Sequence, residues 1–167
     1  MLRQGVFLDV ATVDNGDLSL GALDRSLPGW AFYPETAHHV LQERLQGCDV
    51  VVTNKVLLDA DTLAAAEALK LVVVCATGVN VVDLDAARAR GITVCNIRDY
   101  CSTSVAQHVM ASILNLVTGQ PFYEDRVRSG EWRERGTFSL HDRKIRQVGE
   151  LSLGIIGYGT LGRAVGE

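Results

Sequence analysis

Residues 151–162 read LSLGIIGYGTLG, and this stretch decides the fold. Its first six residues form a short, mainly apolar run typical of a buried parallel strand, and the pattern G-x-G-x-x-G follows directly. In a dinucleotide-binding turn the first glycine makes the tight turn, the second lets the backbone approach a pyrophosphate, and the third lets the next helix pack closely. The pattern therefore predicts cofactor contacts from Gly157, Tyr158, Gly159, Thr160, Leu161 and Gly162.

The glycine pattern is incomplete as a dinucleotide fingerprint, and glycines alone also mark ordinary strand-to-helix turns. A full fingerprint needs a strand-helix-strand unit of roughly 30 residues and an acidic residue about 20 positions beyond the glycines. Only five residues follow Gly162. We therefore expect the chain to be the amino-terminal part, or a truncated version, of a longer protein.

The first half of the chain alternates strand and helix signals. Short β-branched runs predict strands at 5–10, 49–53, 71–75 and 92–95. Between them, helices are predicted at 36–45, 61–69 and 85–90, the last ended by Gly91 in the left-handed conformation. Continuous apolar strands alternating with helices of this length indicate an α/β fold with a parallel sheet covered on both faces.

A second region begins where Ser104 is followed three residues later by Gln107, a spacing typical of a capping box. The helix predicted from there is apolar around most of its circumference as far as Val117, so we expect it to be buried. Gly119 and Pro121 predict its end. Residues 123–150 are highly charged, show little periodicity and are interpreted as a long excursion of the kind that often carries function or contacts a partner.

Composition excludes several classes of protein. The chain is 47% apolar and 22% charged, with a net charge of −4, which indicates a soluble globular protein and makes nucleic acid an unexpected partner. No apolar run is long enough to cross a bilayer, no signal-peptide pattern is present, and a reducing cytoplasm is the expected location. The cysteines lack the spacing of a zinc site, so no metal is expected; they are Cys48, Cys75, Cys95 and Cys101.

Five blocks occur in an order that resembles a known family. They are 53–55 (TNK), 76–84 (ATGVNVVDL), 94–98 (VCNIR), 104–108 (SVAQH) and 153–159 (LGIIGYG). Together they resemble the D-isomer-specific 2-hydroxyacid dehydrogenases, most closely the branch of glycerate dehydrogenases, also called hydroxypyruvate reductases. The resemblance covers nearly the whole chain, and five ordered blocks are more specific than one glycine motif.

The resemblance implies a flavodoxin-like, doubly wound substrate-binding domain at 1–99, followed at 100–167 by the start of a Rossmann domain that binds NAD or NADP. The family reduces a small 2-oxo acid, here hydroxypyruvate or glyoxylate, to D-glycerate or glycolate. The resemblance also implies a homodimer, formed around the helix that begins near Ser104. The alternatives are a dehydrogenase-like corepressor that senses the cofactor, and an enzyme with the chemistry of phosphoglycerate or formate dehydrogenase.

The resemblance also assigns roles to residues. The family's loop equivalent to Thr77, Gly78 and Val79 offers backbone N–H groups to the substrate carboxylate, and the strand that ends before Gly78 independently favours such an anion-binding turn. Asn54 and Lys55 match residues at the substrate pocket, although a lysine after a strand is otherwise an ordinary solvated turn residue.

On the cofactor side, the resemblance implies that Val105 touches the nicotinamide; composition alone makes it the first apolar residue of a buried helix. The family's catalytic histidine, glutamate and arginine are expected beyond residue 167. His108 lies on an apolar helix and is expected to be a core or interface residue. We therefore expect no catalytic residue in this chain and no activity of the chain alone.

Overall fold

Five short strands form one parallel sheet in the first half of the computed structural model, which describes all 167 residues of the chain. The spatial order of the strands is β2-β1-β3-β4-β5, and every neighbouring pair is parallel. This order is the flavodoxin-like form of the doubly wound sheet, so the predicted fold class is confirmed. The strands are β1 (Gln4–Phe7), β2 (Gly29–Phe32), β3 (Val50–Thr53), β4 (Leu71–Val74) and β5 (Thr93–Asn96).

Four helices connect these strands: α1 (Gly21–Asp24), α2 (His38–Leu45), α3 (Ala60–Ala65) and α4 (Leu84–Ala89). Asp59 caps α3 by accepting a hydrogen bond from the Thr62 amide at 2.8 Å, which satisfies one of the free N–H groups of the first turn. Gly91 follows α4 with a φ of +69°, as predicted. The helices at 36–45, 61–69 and 85–90 are thus confirmed, with boundaries shifted by a few residues.

Strand β2 was not predicted. It lies at the edge of the sheet, and its four residues are all half-buried, so it lacks the continuous apolar run of the other strands. A contact between distant residues supports it: a Cβ built on Gly5 would lie 2.6 Å from the Trp30 ring. Because Gly5 has no side chain, the Trp30 indole can pack against its backbone. No local sequence pattern reveals this contact.

The core of the first half lies between the sheet and the helices. Fully buried aliphatic residues come from both layers, and they include Val6, Leu8, Leu41, Leu45, Val51, Leu63, Val72 and Val74. At the amino-terminal edge of the sheet, the buried carboxylate of Asp49 accepts hydrogen bonds from the amides of Arg3 and Gln4 and from the Lys70 ammonium at 2.5 Å. These donors hold the pKa of Asp49 far below its ordinary value, with the Lys70 contact contributing most.

The second half is helical, and the chain divides into two compact units, Met1–Arg98 and Asp99–Glu167. The helices of the second unit are α5 (Ser102–Thr118), α6 (Gln120–Arg128), α7 (Glu131–Arg135) and α8 (Thr160–Gly166). Helix α5 ends at Gly119, whose φ is +66°, as predicted. No helix of the chain combines the length and the apolar character that crossing a membrane requires.

The predicted start of α5 is wrong. Cys101 is the N-cap residue, and Ser104 lies inside the first turn, where its hydroxyl donates to the Cys101 carbonyl at 3.0 Å. No capping box forms, because Ser104 is already helical. The expectation that this helix is buried is also wrong for this chain: none of its residues is buried, and Leu116 is 71% exposed.

Two further predictions in the second unit fail for physical reasons. The charged stretch 123–150 contains most of α6 and all of α7, because its charges form short-range pairs such as Arg128–Glu124 and Arg135–Glu131 along the helices. The strand predicted at 151–156 does not form. A strand needs a neighbour for its backbone hydrogen bonds, and the sheet of the chain contains no strand from the second unit.

Candidate functional site

The loops that follow β1, β3 and β4 emerge together at the carboxyl-terminal edge of the sheet. From β1 the chain first moves outward to β2 and then returns to β3 on the other side of β1. The point between β1 and β3 is therefore the topological switch point, where doubly wound sheets bind their ligands. Asp9 follows β1, and Asn54 and Lys55 follow β3.

Asn54 and Lys55 form a turn whose backbone amides donate hydrogen bonds to the Asp9 carboxylate. The Asn54 amide donates to both carboxylate oxygens of Asp9, at 2.9 and 3.1 Å, and the Lys55 amide donates to Oδ2 at 2.6 Å. The Asn54 side chain donates to the Thr12 hydroxyl at 3.1 Å. Asn54 is buried, so its side chain serves the turn, whereas the Lys55 side chain is exposed.

A cavity of about 480 Å³ opens beside Lys55. The Lys55 ammonium forms no ion pair within the chain, whereas several other cations of the protein do. A free ammonium beside a cavity is suited to an anionic or hydroxylated ligand. The cavity is lined by Asp9, Thr12, Glu35, Thr36, His38, Lys55, Val56 and Leu57.

The loop Thr77–Val79 follows β4, the neighbour of β3 in the sheet. The backbone N–H groups of these three residues donate to no other group of the chain. The Thr77 carbonyl accepts a hydrogen bond from the Asn96 side chain at 2.7 Å, and the Val79 carbonyl accepts one from the Val82 amide at 2.9 Å. The loop is thus held through its carbonyl groups, and its successive N–H groups remain available to an anion.

The glycine motif forms a sharp turn between residues 151–156 and α8. Gly157 has a φ of +89°, which a side chain would strain. A Cβ on Gly162 would lie 2.2 Å from the Gly157 carbonyl oxygen, whereas a Cβ on Gly159 would meet nothing within 4 Å. The first glycine makes the turn, the third allows close packing, and the second faces open space.

None of the N–H groups from Gly157 to Gly162 donates to another group of the chain. Val105 lines a cavity of about 360 Å³ together with Gly157, Leu161 and Gly162, so the structure brings together residues that the sequence assigned to one cofactor. Tyr158 is exposed, and its ring lies beside Gly166 of α8. The residues proposed for the substrate belong to the first unit, and those proposed for the cofactor belong to the second.

Sequence reasoning missed three polar residues of the site, namely Asp9, Thr12 and Asn96. Asp9 was included in the first predicted strand, although an acidic residue at the end of a buried strand was a signal for such a role. Asn96 ends β5 and contacts a loop 19 positions earlier. These contacts join residues far apart in the sequence, so only the topology reveals them.

The histidines form no ion pairs and the cysteines form no disulfides in the chain. None of the four histidines forms an ion pair with a carboxylate, and no group of three or more histidine, cysteine or acidic residues is arranged to hold a metal ion. All four cysteines are free. Burial, with a smaller contribution from the nearby Asp9 charge, raises the pKa of the Cys75 thiol.

Comparison with known proteins identifies the family of the chain. Residues 23–159 match the family model described as D-isomer specific 2-hydroxyacid dehydrogenase, catalytic domain. A glycerate dehydrogenase from Methylorubrum extorquens is 43% identical over 125 residues, which cover 75% of this chain and 40% of that protein. A hydroxypyruvate reductase from Blautia hydrogenotrophica is 31% identical over 165 residues, which cover 97% of this chain and 51% of that protein.

Solved structures agree with this result. A D-lactate dehydrogenase from Aquifex aeolicus, complexed with NAD and lactic acid, superposes with a TM-score of 0.76 at 28% identity, covering 96% of this chain and 46% of that one. The chain spans about half the length of the curated relatives it matches. From the family model, the ordered sequence blocks and the flavodoxin-like sheet, the chain belongs to the D-isomer-specific 2-hydroxyacid dehydrogenases, a family of oxidoreductases.

Proposed function

We propose that the chain supplies the substrate-binding unit and the pyrophosphate-binding turn of an NAD- or NADP-dependent dehydrogenase that reduces hydroxypyruvate or glyoxylate. The products would be D-glycerate and glycolate. The relatives named glycerate dehydrogenase and hydroxypyruvate reductase support this substrate class. The observation that carries the proposal is the set of free N–H groups at Thr77, Gly78 and Val79. Their loop follows β4, the neighbour of β3, and the loop after β3 carries the unpaired ammonium of Lys55.

The substrate carboxylate would bind to the loop after β4. Thr53 and Val74 are paired in the parallel ladder, so the turn at Lys55 and the loop Thr77–Val79 begin from adjacent positions on neighbouring strands. Successive N–H groups form a concave donor surface for carboxylate oxygens. The Lys55 ammonium adds a positive charge and up to three donors for a second substrate oxygen.

The residues around Gly157 fit the pyrophosphate of a nicotinamide dinucleotide. The left-handed Gly157, the close approach of Gly162 to the Gly157 carbonyl and the open space beside Gly159 match the three roles of glycine in such a turn. The free N–H groups at the start of α8 are suited to phosphate oxygens. When bound, the cofactor exchanges a hydride with the substrate carbon that carries the oxygen.

We propose that the groups for proton transfer lie outside this chain. Reduction of the 2-oxo group takes up one hydride and one proton, and the family uses a histidine oriented by a glutamate, with an arginine on the carboxylate. Following the resemblance to the family, we propose that these roles belong to residues outside these 167 positions. The chain alone is expected to bind substrate without turning it over.

We also propose that the whole protein is a homodimer and that α5 lies at its interface. This helix exposes Leu114 and Leu116, which are 47% and 71% accessible, and Trp132 of α7 is also exposed. Large apolar side chains exposed in this way would be covered in a protein interface. A two-fold interface would cover this surface with the same surface of a second copy.

Calorimetric titration of hydroxypyruvate into the purified chain tests the substrate assignment. Saturable one-to-one binding is expected, and Lys55→Met is expected to weaken it about tenfold, as for the loss of a charge-assisted hydrogen bond. Lys144→Met is the matched control, because Lys144 is an exposed lysine of the other unit. Absence of binding, or equal affinities of the two variants, would contradict the proposal, as would NADH-dependent turnover at an ordinary enzymatic rate.

A further inference from the structure

We infer that Asp9 is a positioning residue for the substrate, acting through the turn that carries Lys55. The inference rests on the proposed function, because it concerns how the chain presents the Lys55 ammonium to a 2-oxo acid. Asp9 is 2% exposed, has no cationic partner, and touches the same cavity as Lys55. A buried carboxylate in such a place needs a reason, since burial of an unpaired charge is unfavourable.

The hydrogen bonds of Asp9 explain how the carboxylate is tolerated. Its two oxygens accept three hydrogen bonds from the amides of Asn54 and Lys55, with N···O distances of 2.6–3.1 Å. These are charge-assisted bonds to backbone groups, and they are roughly twice as strong as neutral ones. Asp9 thereby joins the end of β1 to the turn after β3 across 45 residues of sequence.

Thr12 closes the same cluster. Its hydroxyl donates to the Asp9 carbonyl at 2.7 Å and accepts from the Asn54 side chain at 3.1 Å. Asp9, Thr12 and Asn54 therefore hold the turn from two sides, through its backbone and through its buried side chain. The Lys55 backbone has a fixed position, and only its side chain is free to adjust to a ligand.

The Lys55 ammonium is unpaired although Asp9 lines the same cavity. Both oxygens of Asp9 accept hydrogen bonds from the backbone amides of the turn, and no ion pair forms between the two side chains. Asp9 thus orients a lysine without neutralising it, which leaves the ammonium to an oxygen of the substrate.

The inference is tested with two ligands that differ at one position. Hydroxypyruvate carries a hydroxyl group at C3 and pyruvate does not, so the ratio of their dissociation constants reports on polar contacts beyond the carboxylate. We expect Asp9→Asn, which replaces one acceptor by a donor, to lower the preference for hydroxypyruvate about five- to tenfold. Lys55→Met is expected to lower it at least as much, and the double variant no further than Lys55→Met alone.

Asp14→Asn is the matched control. Asp14 also accepts three hydrogen bonds from backbone amides, those of Gly16, Asp17 and Leu18, but it does not line the cavity beside Lys55. A merely structural role of Asp9 would lower stability without changing the ratio. The ratio is therefore measured at a temperature at which every variant is folded.

The outcomes separate the inference from the proposed function. If wild type binds hydroxypyruvate and Lys55→Met loses the preference while Asp9→Asn keeps it, the role of Asp9 is refuted and the proposed function stands. If wild type binds neither ligand, both fail. Should Asp9→Asn not fold, Thr12→Val replaces it, with an expected two- to threefold loss of preference that disappears in the Lys55→Met background; an unchanged preference would refute the inference.

Discussion

Replacing Gly162 by alanine tests the packing of the glycine turn, and Gly159→Ala provides the control within the same motif. A Cβ on Gly162 would lie 2.2 Å from the Gly157 carbonyl oxygen, 3.2 Å from the carbonyl carbon and 3.4 Å from Ile155 Cγ2. Non-bonded carbon and oxygen atoms need more than 3 Å, so α8 must move by about 1 Å.

Overpacking of this kind costs about 1–3 kcal/mol, which corresponds to a change of about 5- to 150-fold in the equilibrium between closed and open helix. Gly159 has a φ of −79° and open space around it, so alanine is accommodated there. Amide hydrogen exchange at Arg163, whose N–H donates to the Gly159 carbonyl at 3.0 Å, measures the opening of α8. We expect exchange to accelerate by at least fivefold in Gly162→Ala and by less than twofold in Gly159→Ala. Equal rates in the two variants would refute the argument.

Three further predictions concern the scaffold and the assembly. Because Lys70 and two amides lower the pKa of Asp49 in the folded state, the stability that Asp49 provides is present above about pH 4 and lost as the pH falls below that value. In urea unfolding at pH 7 and pH 3, the free energy of unfolding should therefore depend less on pH in Asp49→Asn than in wild type. An equal dependence in the two proteins would contradict this. Leu63 is fully buried, so Leu63→Ala should lower the free energy of unfolding by about 2–5 kcal/mol. Leu57 is exposed, so Leu57→Ala should change that free energy little. Similar losses in the two variants would contradict the placement of Leu63 in the core. If α5 lies at a dimer interface, Leu116→Glu should yield monomers in sedimentation experiments without loss of helix content, and persistent dimers would rule that face out.

Much of the first unit was predictable because its strands are buried on both faces. β3 and β4 are continuous runs of β-branched residues, and their helices end at recognisable caps such as Gly91. β2 escaped prediction because an edge strand is half-exposed, and because the reason for its place, the packing of Trp30 over Gly5, is a contact between distant residues. Periodicity describes one element at a time and contains no information on such pairs.

The second unit shows the opposite error. The apolar run at 151–156 was interpreted as a strand, but a strand forms only when a neighbour accepts its hydrogen bonds, and the sheet of the chain provides none there. The charged stretch after Tyr123 was interpreted as a long excursion with little periodicity, but it contains α7 and most of α6, where pairs such as Arg128–Glu124 lie along the helix.

The residues of the candidate site were also predictable only in part. Lys55 and the loop Thr77–Val79 were indicated by the resemblance to a family and by their position after strands. Asp9 was not, because its importance depends on the adjacency of β1 and β3, and hence on the order of strands in the sheet. A sequence pattern can indicate which side chain meets a ligand more readily than which side chain holds that residue in place.

The most direct test of the account is the amide spectrum of the isotope-labelled chain during titration with hydroxypyruvate. We expect saturable shifts of the N–H resonances of Thr77, Gly78 and Val79, together with that of Lys55, while the resonances of amides at the opposite edge of the sheet, such as Gln4, do not shift. Saturable shifts of other residues without shifts in the loop after β4 would contradict the assignment of this edge as the substrate site. The absence of any shift at millimolar ligand would contradict it as well.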